Sequence, residues 1–376
     1  MSHAMSQPLS ICTIVAKNYI AAARTLCQSF LANHPNGKCY VLIIDDLEDF
    51  IDPTAECFEI ILLDALSIAD LSSFCFKYDV VELATASKPY FMEYLITERC
   101  IDRLLYIDPD ILITNPLNSL FERLKTYDIV LTPHTMVDYP DDGLEPDLRS
   151  LLTTGMFNLG FIGVNASKNA RHFLNWWKRK VYNNCVVESE SGLFVDQKFC
   201  DLIPSFFDNY YVEKDAGYNV ANWNLHERTI VKENGIWRCN GGALFFFHFS
   251  NYRPETPGIL SKWSTRSSMK CDGDLARLME TYRQELLANE YHPSRSWPYK
   301  YSAFDTGERI PNELRAIYRK SPDKWQVYGD PFSSGKLKRM ARRVNRKRRI
   351  RNILMLWKGK NFKLALKRLH MATNIG

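Results

Sequence analysis

Asp108 and Asp110 stand two residues apart in the run LLYIDPDILI, residues 104–113, with apolar residues on both sides and Pro109 between them. In an extended chain alternate residues share a side, so both carboxylates project together. Pro109 has no N–H to offer a neighbouring strand and marks the place where pairing stops. Two carboxylates left bare in a cleft repel one another and are costly to desolvate. A hard divalent cation, Mg²⁺ or Mn²⁺, removes both costs and bridges readily to phosphate oxygens. The competing reading is a turn in which Asp108 bonds its own backbone.

The elements that must carry these residues can be read from periodicity. LSICTIVAKNYI (9–20) reads as a strand running into a polar loop, and AAARTLCQSFLANH (21–34) has helical spacing. CYVLIIDD (39–46), FEIILLDAL (58–66), RLLYID (103–108) and DIVLTPH (128–134) are further strands, and KPYFMEYLITER (88–99) is predicted helical. Continuous apolar strands alternating with helices imply an α/β fold with a mainly parallel sheet covered on both faces. Ligands bind such sheets beyond the carboxyl ends of the strands. Lys17, Asn18, Asp45, Asp108 and Asp110 all fall there. FNLGFIGVN and ALFFFHFS add later strands. RHFLNWWKRKVYNN (171–184) is a helix expected to bury Phe173, Trp176 and Trp177.

Composition narrows the classes. At 376 residues, 46% hydrophobic and 24% charged, the chain has enough apolar residues for a sizeable core. No stretch approaches the roughly 20 apolar residues of a spanning helix. The start lacks the features of a signal peptide, and residues 1–8 are expected to be an expression-derived, unfolded leader. None of the ten Cys forms C-x-x-C, so reduced core thiols in a cytoplasm are expected rather than a disulfide framework or zinc site. The net charge of +5 hides an asymmetry: 15 of the 48 Lys and Arg lie from Lys336 onward, where there is no Asp or Glu. The body is left with 33 basic residues against 43 acidic ones. The expected division is 9–265 as a nucleotide-sugar domain, 266–335 as a helical extension and 336–376 as a basic amphipathic tail.

Five ordered motifs over residues 10–265 carry a family resemblance. ELATASKPYFMEYLI…IDRLLYIDPDILITNPL resembles the stretch around the metal-binding D-x-D of GT-A glycosyltransferases. The match is to the retaining group that includes glycogenin and bacterial lipopolysaccharide galactosyltransferases. GMFNLGFIGVN is similar to that group's F-N-x-G strand, GLFVDQKFCDLIP to its Asp-Gln segment, and FFFHFSNYRPETPGILSKW to its late His-containing segment. That last segment departs from the group's H-x-x-G-x-x-K-P-W form, reading His248-Phe-Ser-Asn-Tyr-Arg-Pro.

The resemblance implies a GT-A, Rossmann-like mixed sheet with a C-terminal helical extension. It implies Asp110 as the most direct metal ligand, with Asp108 reaching the ion or the donor ribose. His248, after the apolar run ALFFF and before a polar loop, is the expected third ligand; the alternative is a buried, bonded histidine. An Asp/Asp/His set favours Mn²⁺ over Mg²⁺. Ala16, Lys17 and Asn18, in the stretch from Ile14 to Tyr19, are expected to wall the nucleotide pocket, Lys17 either meeting phosphate or standing as a solvated loop lysine; Asp45 or Asp46 is expected to bond base or ribose unless both cap the next segment. Lys88, read as lying at a helix start, is expected to meet donor phosphate or sugar. Asn158 is expected to hold sugar hydroxyls, and Asp196 and Gln197 to lie beside the reacting carbon. Asp196 equally suits a helix N-cap. Tyr218, Trp223 and Trp263 are candidate sugar platforms, and the acidic loop 138–147 is either solvated or a lid.

The expected activity is transfer of a sugar from a UDP-type nucleotide diphosphate sugar to a glycan or lipid-linked hydroxyl, with retention. The alternatives are a sugar-phosphate nucleotidyltransferase, which would open with a Gly-rich phosphate loop that TIVAKNYIAAA lacks, and a non-catalytic membrane or nucleic-acid adaptor using the tail. The tail pattern predicts peripheral contact with an anionic membrane surface through 336–370, on the inner face of the cytoplasmic membrane. No aromatic platform accompanies the charge, which argues against nucleic acid.

Overall fold

Seven strands build the central sheet. They are β1 (Ser10–Val15), β2 (Lys38–Ile43), β3 (Glu59–Leu62), β4 (Arg103–Ile107), β6 (Ile129–Pro133), β7 (Phe157–Asn165) and β8 (Tyr210–Val212). The computed structural model describes residues 7–268 and 273–358. Strand order across the sheet is β8-β6-β7-β4-β1-β2-β3. β1 pairs parallel with β2 and β4, β2 with β3, and β8 with β6. Only β7 runs against its neighbours, β4 and β6. The sheet is therefore mixed and mainly parallel, as the alternation of strands and helices implies.

Alternate residues of β1, β2 and β4 point to opposite faces, and both sets are buried. Ile11, Val15, Val41, Ile43, Leu105 and Ile107 share one core with the helices α1 (Ile20–Asn33) and α4 (Asn118–Thr126). Cys12, Ile14, Leu42, Leu104 and Tyr106 fill the other face and are equally covered. The helix over 171–184 extends from Lys168 to Asn184 (α6) and buries Phe173, Trp176 and Trp177. Trp177 is inaccessible, so this Trp pair is core.

A second, three-stranded sheet places the chemistry. β5 (Ile111–Ile113) leaves the main sheet immediately after the D-P-D turn and pairs antiparallel with β10 (Phe246–His248), which in turn pairs parallel with β9 (Val220–Ala221). The register sets His248 opposite Ile111. Phe247 and Phe249 turn away from the cleft into a core with Leu278 and Tyr282 of α7 (Gly273–Ala288).

The described residues form two compact units, one within 7–68 and 81–299 and one within 69–80 and 300–358. The second unit joins α2 (Leu71–Lys77) to α8 (Asn312–Arg319) and the first half of α9 (Gly335–Lys358). Phe76, Phe304, Leu314, Tyr318, Leu337 and Ala341 form its core. The opposite side of α9 exposes Arg339, Arg342, Arg343, Arg346 and Lys347. The tail residues beyond Lys358 lie outside the described residues. Among the described residues no helix is long and apolar enough to cross a membrane, and no disulfide forms.

One boundary differs from the sequence reading. α3 runs Val80–Glu98 and carries Pro89 in its interior. Lys88 is therefore deep in the helix, not at its start, so the argument that amide groups of a helix N-terminus accompany it does not hold. The apolar contacts of Leu83, Phe91, Met92 and Leu95, all buried, outweigh the local cost of proline.

Candidate active site

β4 ends at Ile107, and the next three residues make the turn that the sequence marked. The Asp108 N–H donates to the Gly160 carbonyl (2.8 Å), continuing the β4–β7 pairing by one residue before Pro109 ends it. The Phe249 N–H donates to the Asp110 carbonyl (2.8 Å), continuing the β5–β10 pairing from the other side. Two sheets thus pin the backbone of the D-P-D turn at both ends. Their convergence brings His248 Nε2 to 3.0 Å from Asp110 Oδ1 and 3.9 Å from Asp108 Oδ2. One donor atom from each of the three residues lies within 4.8 Å of the others. Two half-exposed carboxylates and one buried imidazole, gathered on one point, form a donor set that could hold a divalent cation. Beside it, Gly160 leaves the space that the histidine ring occupies: a Cβ there would come within 2.5 Å of His248 Cε1.

A buried ion pair backs the cluster. Lys88, on α3, places its ammonium 2.7 Å from Asp196 Oδ2 and 3.9 Å from Asp108 Oδ1. It also donates to the Leu159 carbonyl (2.8 Å) and lies 4.3 Å above the Tyr106 ring. Lys88 and Asp196 are 1% and 2% exposed. Burial by itself would lower the Lys88 pKa, but Asp196 and Asp108 outweigh it, so the ammonium is held above its ordinary value and stays charged. Burial raises Asp196, with Lys88 opposing. Burial would also lower His248, and Asp110 and Asp108 reverse it to a net rise. The Tyr106 hydroxyl donates to Asp108 Oδ1 (2.7 Å), turning that carboxylate toward the cluster.

Asn158 and Gln197 are close by but already engaged. Asn158 Oδ1 accepts from the Gly160 N–H (3.1 Å) and from Asn219 Nδ2 (3.1 Å), and its Nδ2 meets His134 Nε2 (3.2 Å). Gln197 donates to the Thr154 carbonyl (2.8 Å) and accepts from the Leu159 N–H (3.4 Å). Asp196 precedes the turn Gln197–Cys200 without a capping bond from its side chain, and Trp177 Nε1 donates to its carbonyl (3.2 Å).

The residues at the end of β1 form a separate corner. Asp45 Oδ1 accepts from the Lys17 N–H (3.0 Å), and the buried Lys17 ammonium turns to Asp46 and, at 3.4 Å, Glu48. Ala16 is buried and Asn18 half-buried beside them. Lys17 therefore pairs with Asp46 and Glu48, whereas Lys88 pairs with Asp196 beside Asp108. Of the suggested platforms, Tyr218 is core: it is 3% exposed and stacks on Phe245 at 4.1 Å. Trp263 is exposed. Trp223 stands edge-on to His248, ring centres 5.1 Å apart.

Sequence reasoning passed over Tyr106, His134, Asn219 and Asn224. Asn219 also donates to Thr132 (2.9 Å), and Asn224 donates to the His134 and Asn219 carbonyls (both 3.0 Å). Burial drives His134 down to a pKa of about 4. The signal was present in GYNVANWNL, where three asparagines among apolar residues must each find a buried partner.

No protein-family model matches the chain. It is 27% identical over 177 residues to Uncharacterized protein YfnF of Bacillus subtilis (strain 168), covering 46% of this chain and 58% of that protein. It is 25% identical over 175 residues to Uncharacterized protein YfnD of the same organism, covering 46% and 54%. The chain thus spans little more than half the length of these curated relatives. Among solved structures, the galactosyltransferase LgtC in complex with donor and acceptor sugar analogues matches at 15% identity and a TM-score of 0.46, over 73% of this chain and 95% of that one. The glycosyltransferase GlyE of Streptococcus pneumoniae TIGR4 matches at 16% and 0.41, over 79% and 67%. Mouse xyloside xylosyltransferase 1 matches at 14% and 0.36, over 64% and 97%.

Proposed function

We propose that the chain is a metal-dependent glycosyltransferase that moves a sugar from a nucleotide diphosphate sugar, of UDP type, to a hydroxyl on a glycan or lipid-linked acceptor. The observation that carries this reading is the convergence of Asp108, Asp110 and His248 beside the buried Lys88–Asp196 pair. The five ordered motifs of the sequence support it independently. Asp108, Asp110 and His248 would hold Mn²⁺ or Mg²⁺. Bound there, the ion would neutralise charge developing on a departing diphosphate.

The chain's own residues set the stage for that departure. Lys88 stays protonated in a buried setting, so its charge is fixed before the donor arrives. Tyr106 orients Asp108. Asn158 is assigned to the sugar hydroxyls, and Asp196 and Gln197 to the side of the reacting carbon. Asp196, paired with Lys88, is suited to facing positive charge on a sugar ring rather than to forming a covalent bond. We therefore assign retention through a short-lived ion pair. Ala16, Lys17, Asn18 and Asp45 are assigned to the nucleoside end.

A panel of nucleotide sugars incubated with Mn²⁺, read by nucleotide release, tests the activity; release from none of them would overturn it. Full turnover in EDTA would remove the metal. Proton NMR of fresh product tests stereochemistry, and an inverted linkage would refute retention.

The same reading includes peripheral contact with an anionic membrane through residues 336–370, part of which lies outside the described residues. Because Leu337 and Ala341 are core residues, truncation at 335 would disturb the fold. Replacing exposed Arg339, Arg343, Arg346 and Lys347 with Gln is the cleaner test. Undiminished flotation with phosphatidylserine vesicles would count against the helix.

A further inference from the structure

A buried cation, Arg266, holds the acidic loop after β6. Residues 138–147, DYPDDGLEPD, contain five carboxylates and no basic residue. Arg266, 5% exposed and in the segment that follows β10, reaches this loop. Its Nη1 donates to Asp142 Oδ2 (2.6 Å), and its Nη2 donates to Asp142 Oδ1 (2.8 Å) and to the Leu144 carbonyl (3.2 Å). The backbone reinforces the junction: the Arg266 N–H donates to the Glu145 carbonyl (3.0 Å) and the Glu145 N–H to Thr265 Oγ1 (2.9 Å). A planar fork meeting both oxygens of one carboxylate fixes orientation as well as distance, which an ammonium cannot do.

From this junction a continuous set of contacts leads to the candidate metal donors. Tyr139, in the same loop, donates its hydroxyl to the Trp223 carbonyl (3.0 Å) and packs on His226 (ring centres 4.6 Å apart). The Arg266 guanidinium lies 5.7 Å from the Tyr139 ring centre. Trp223 then meets His248 edge-on at 5.1 Å and His134 at 5.5 Å. Asp110 meets Nε2 of His248 at 3.0 Å, whereas among the described residues no hydrogen bond restrains its Nδ1, so packing against Trp223 shares with Asp110 in setting the angle of the imidazole.

We infer that Arg266 is a positioning residue: by clamping Asp142 it fixes loop 138–147, and through Tyr139 and Trp223 it sets the orientation of the His248 ring. The inference rests on the reading of Asp108, Asp110 and His248 as a metal site. Outer partners of a metal-binding histidine commonly change affinity 10- to 100-fold, and a residue two contacts further out should change it less, by about 3- to 10-fold.

The test is Mn²⁺ binding to the full chain, followed by loss of the free-ion electron paramagnetic resonance signal, with no sugar donor present. Arg266→Ala and Asp142→Asn should each weaken Mn²⁺ by about 3- to 10-fold while the thermal midpoint stays near wild type. Arg266→Lys should recover less than half of the loss. Trp223→Ala, the ring's direct neighbour, should lose at least as much as Arg266→Ala, and adding Arg266→Ala to it should cost nothing more, because both act on the same ring. Should Arg266→Ala unfold, Asp142→Asn on the exposed side of the pair decides the matter. Wild-type Mn²⁺ affinity in folded Asp142→Asn, with binding still abolished in Asp110→Ala, would overturn the clamp alone. Additive losses with Trp223→Ala would overturn the route through Trp223. Identical binding by wild type and Asp110→Ala would overturn the metal reading and this inference together.

Discussion

Two buried lysines, Lys88 in α3 and Lys17 just after β1, stand in different electrostatic surroundings. Lys88 is enclosed with Asp196, which is as buried as itself, and stands 3.9 Å from Asp108. Lys17 is just as inaccessible, but its partners Asp46 and Glu48 are 34% and 49% exposed. Water can re-solvate the carboxylates around Lys17 if the lysine is lost. It cannot reach Asp196. A charge pair of which both members are dry must be kept whole, whereas one with a wet member is nearly dispensable. The difference locates the demanding electrostatics at the end of β4 rather than at the end of β1.

The sharpest way to break this comparison is at the cluster itself. Asp110→Ala should lower turnover by at least about 10³-fold, roughly 4 kcal/mol of activation free energy, with a circular dichroism melt like wild type. Residual activity above a tenth would move the chemistry elsewhere. Next comes the pair behind it. Lys88→Met strands Asp196 and should cost about 3–5 kcal/mol in urea unfolding. A loss below about 1 kcal/mol would mean that water reaches the site after all.

The polar network between the two sheets makes a pH-dependent prediction. His134 has a folded pKa of about 4 against an ordinary 6.5, because burial disfavours its charged form. The unfolded chain takes up this proton first as pH falls. The contribution is therefore intact above pH 6.5 and is lost as pH drops toward 4. Between pH 7 and 4.5, wild type should lose about 2.5 kcal/mol more in urea unfolding than His134→Gln, which keeps a hydrogen-bonding side chain. Equal losses would mean that the ring is already wet. The smallest effect belongs to the other lysine. Lys17→Met should cost about 1 kcal/mol or less, and a loss matching that of Lys88→Met would erase the contrast between the two corners.

Much of the site could be read before the fold. D-P-D announced itself because carboxylates and proline contradict an apolar strand. His248 stood out because a polar residue ended a run of phenylalanines. The parallel strands were legible from continuous apolar runs, and the two tryptophans of α6 from helical spacing. Other features were not. Lys88 reads as a helix-start residue because proline usually opens helices, yet tertiary packing carries α3 through Pro89. Asn158 had to be bonded, but no local pattern says that its partners within the protein are Gly160, Asn219 and His134. Tyr218 looked like a platform and is a core residue stacked on Phe245.

By itself the sequence determined which residue types stand at strand ends, the apolar periods that make strands and helices, and the separation of an acidic body from a basic tail. These depend on neighbours a few positions away, where backbone geometry alone sets which side chains face together. Only the tertiary structure decided that Lys88 pairs with Asp196, that Trp223 braces His248, and that Arg266 holds Asp142. Each partner there lies tens to more than a hundred residues along the chain from the other. Such pairs are chosen by strand order and by the need of every buried charge for a counter-charge, and no local pattern records that choice.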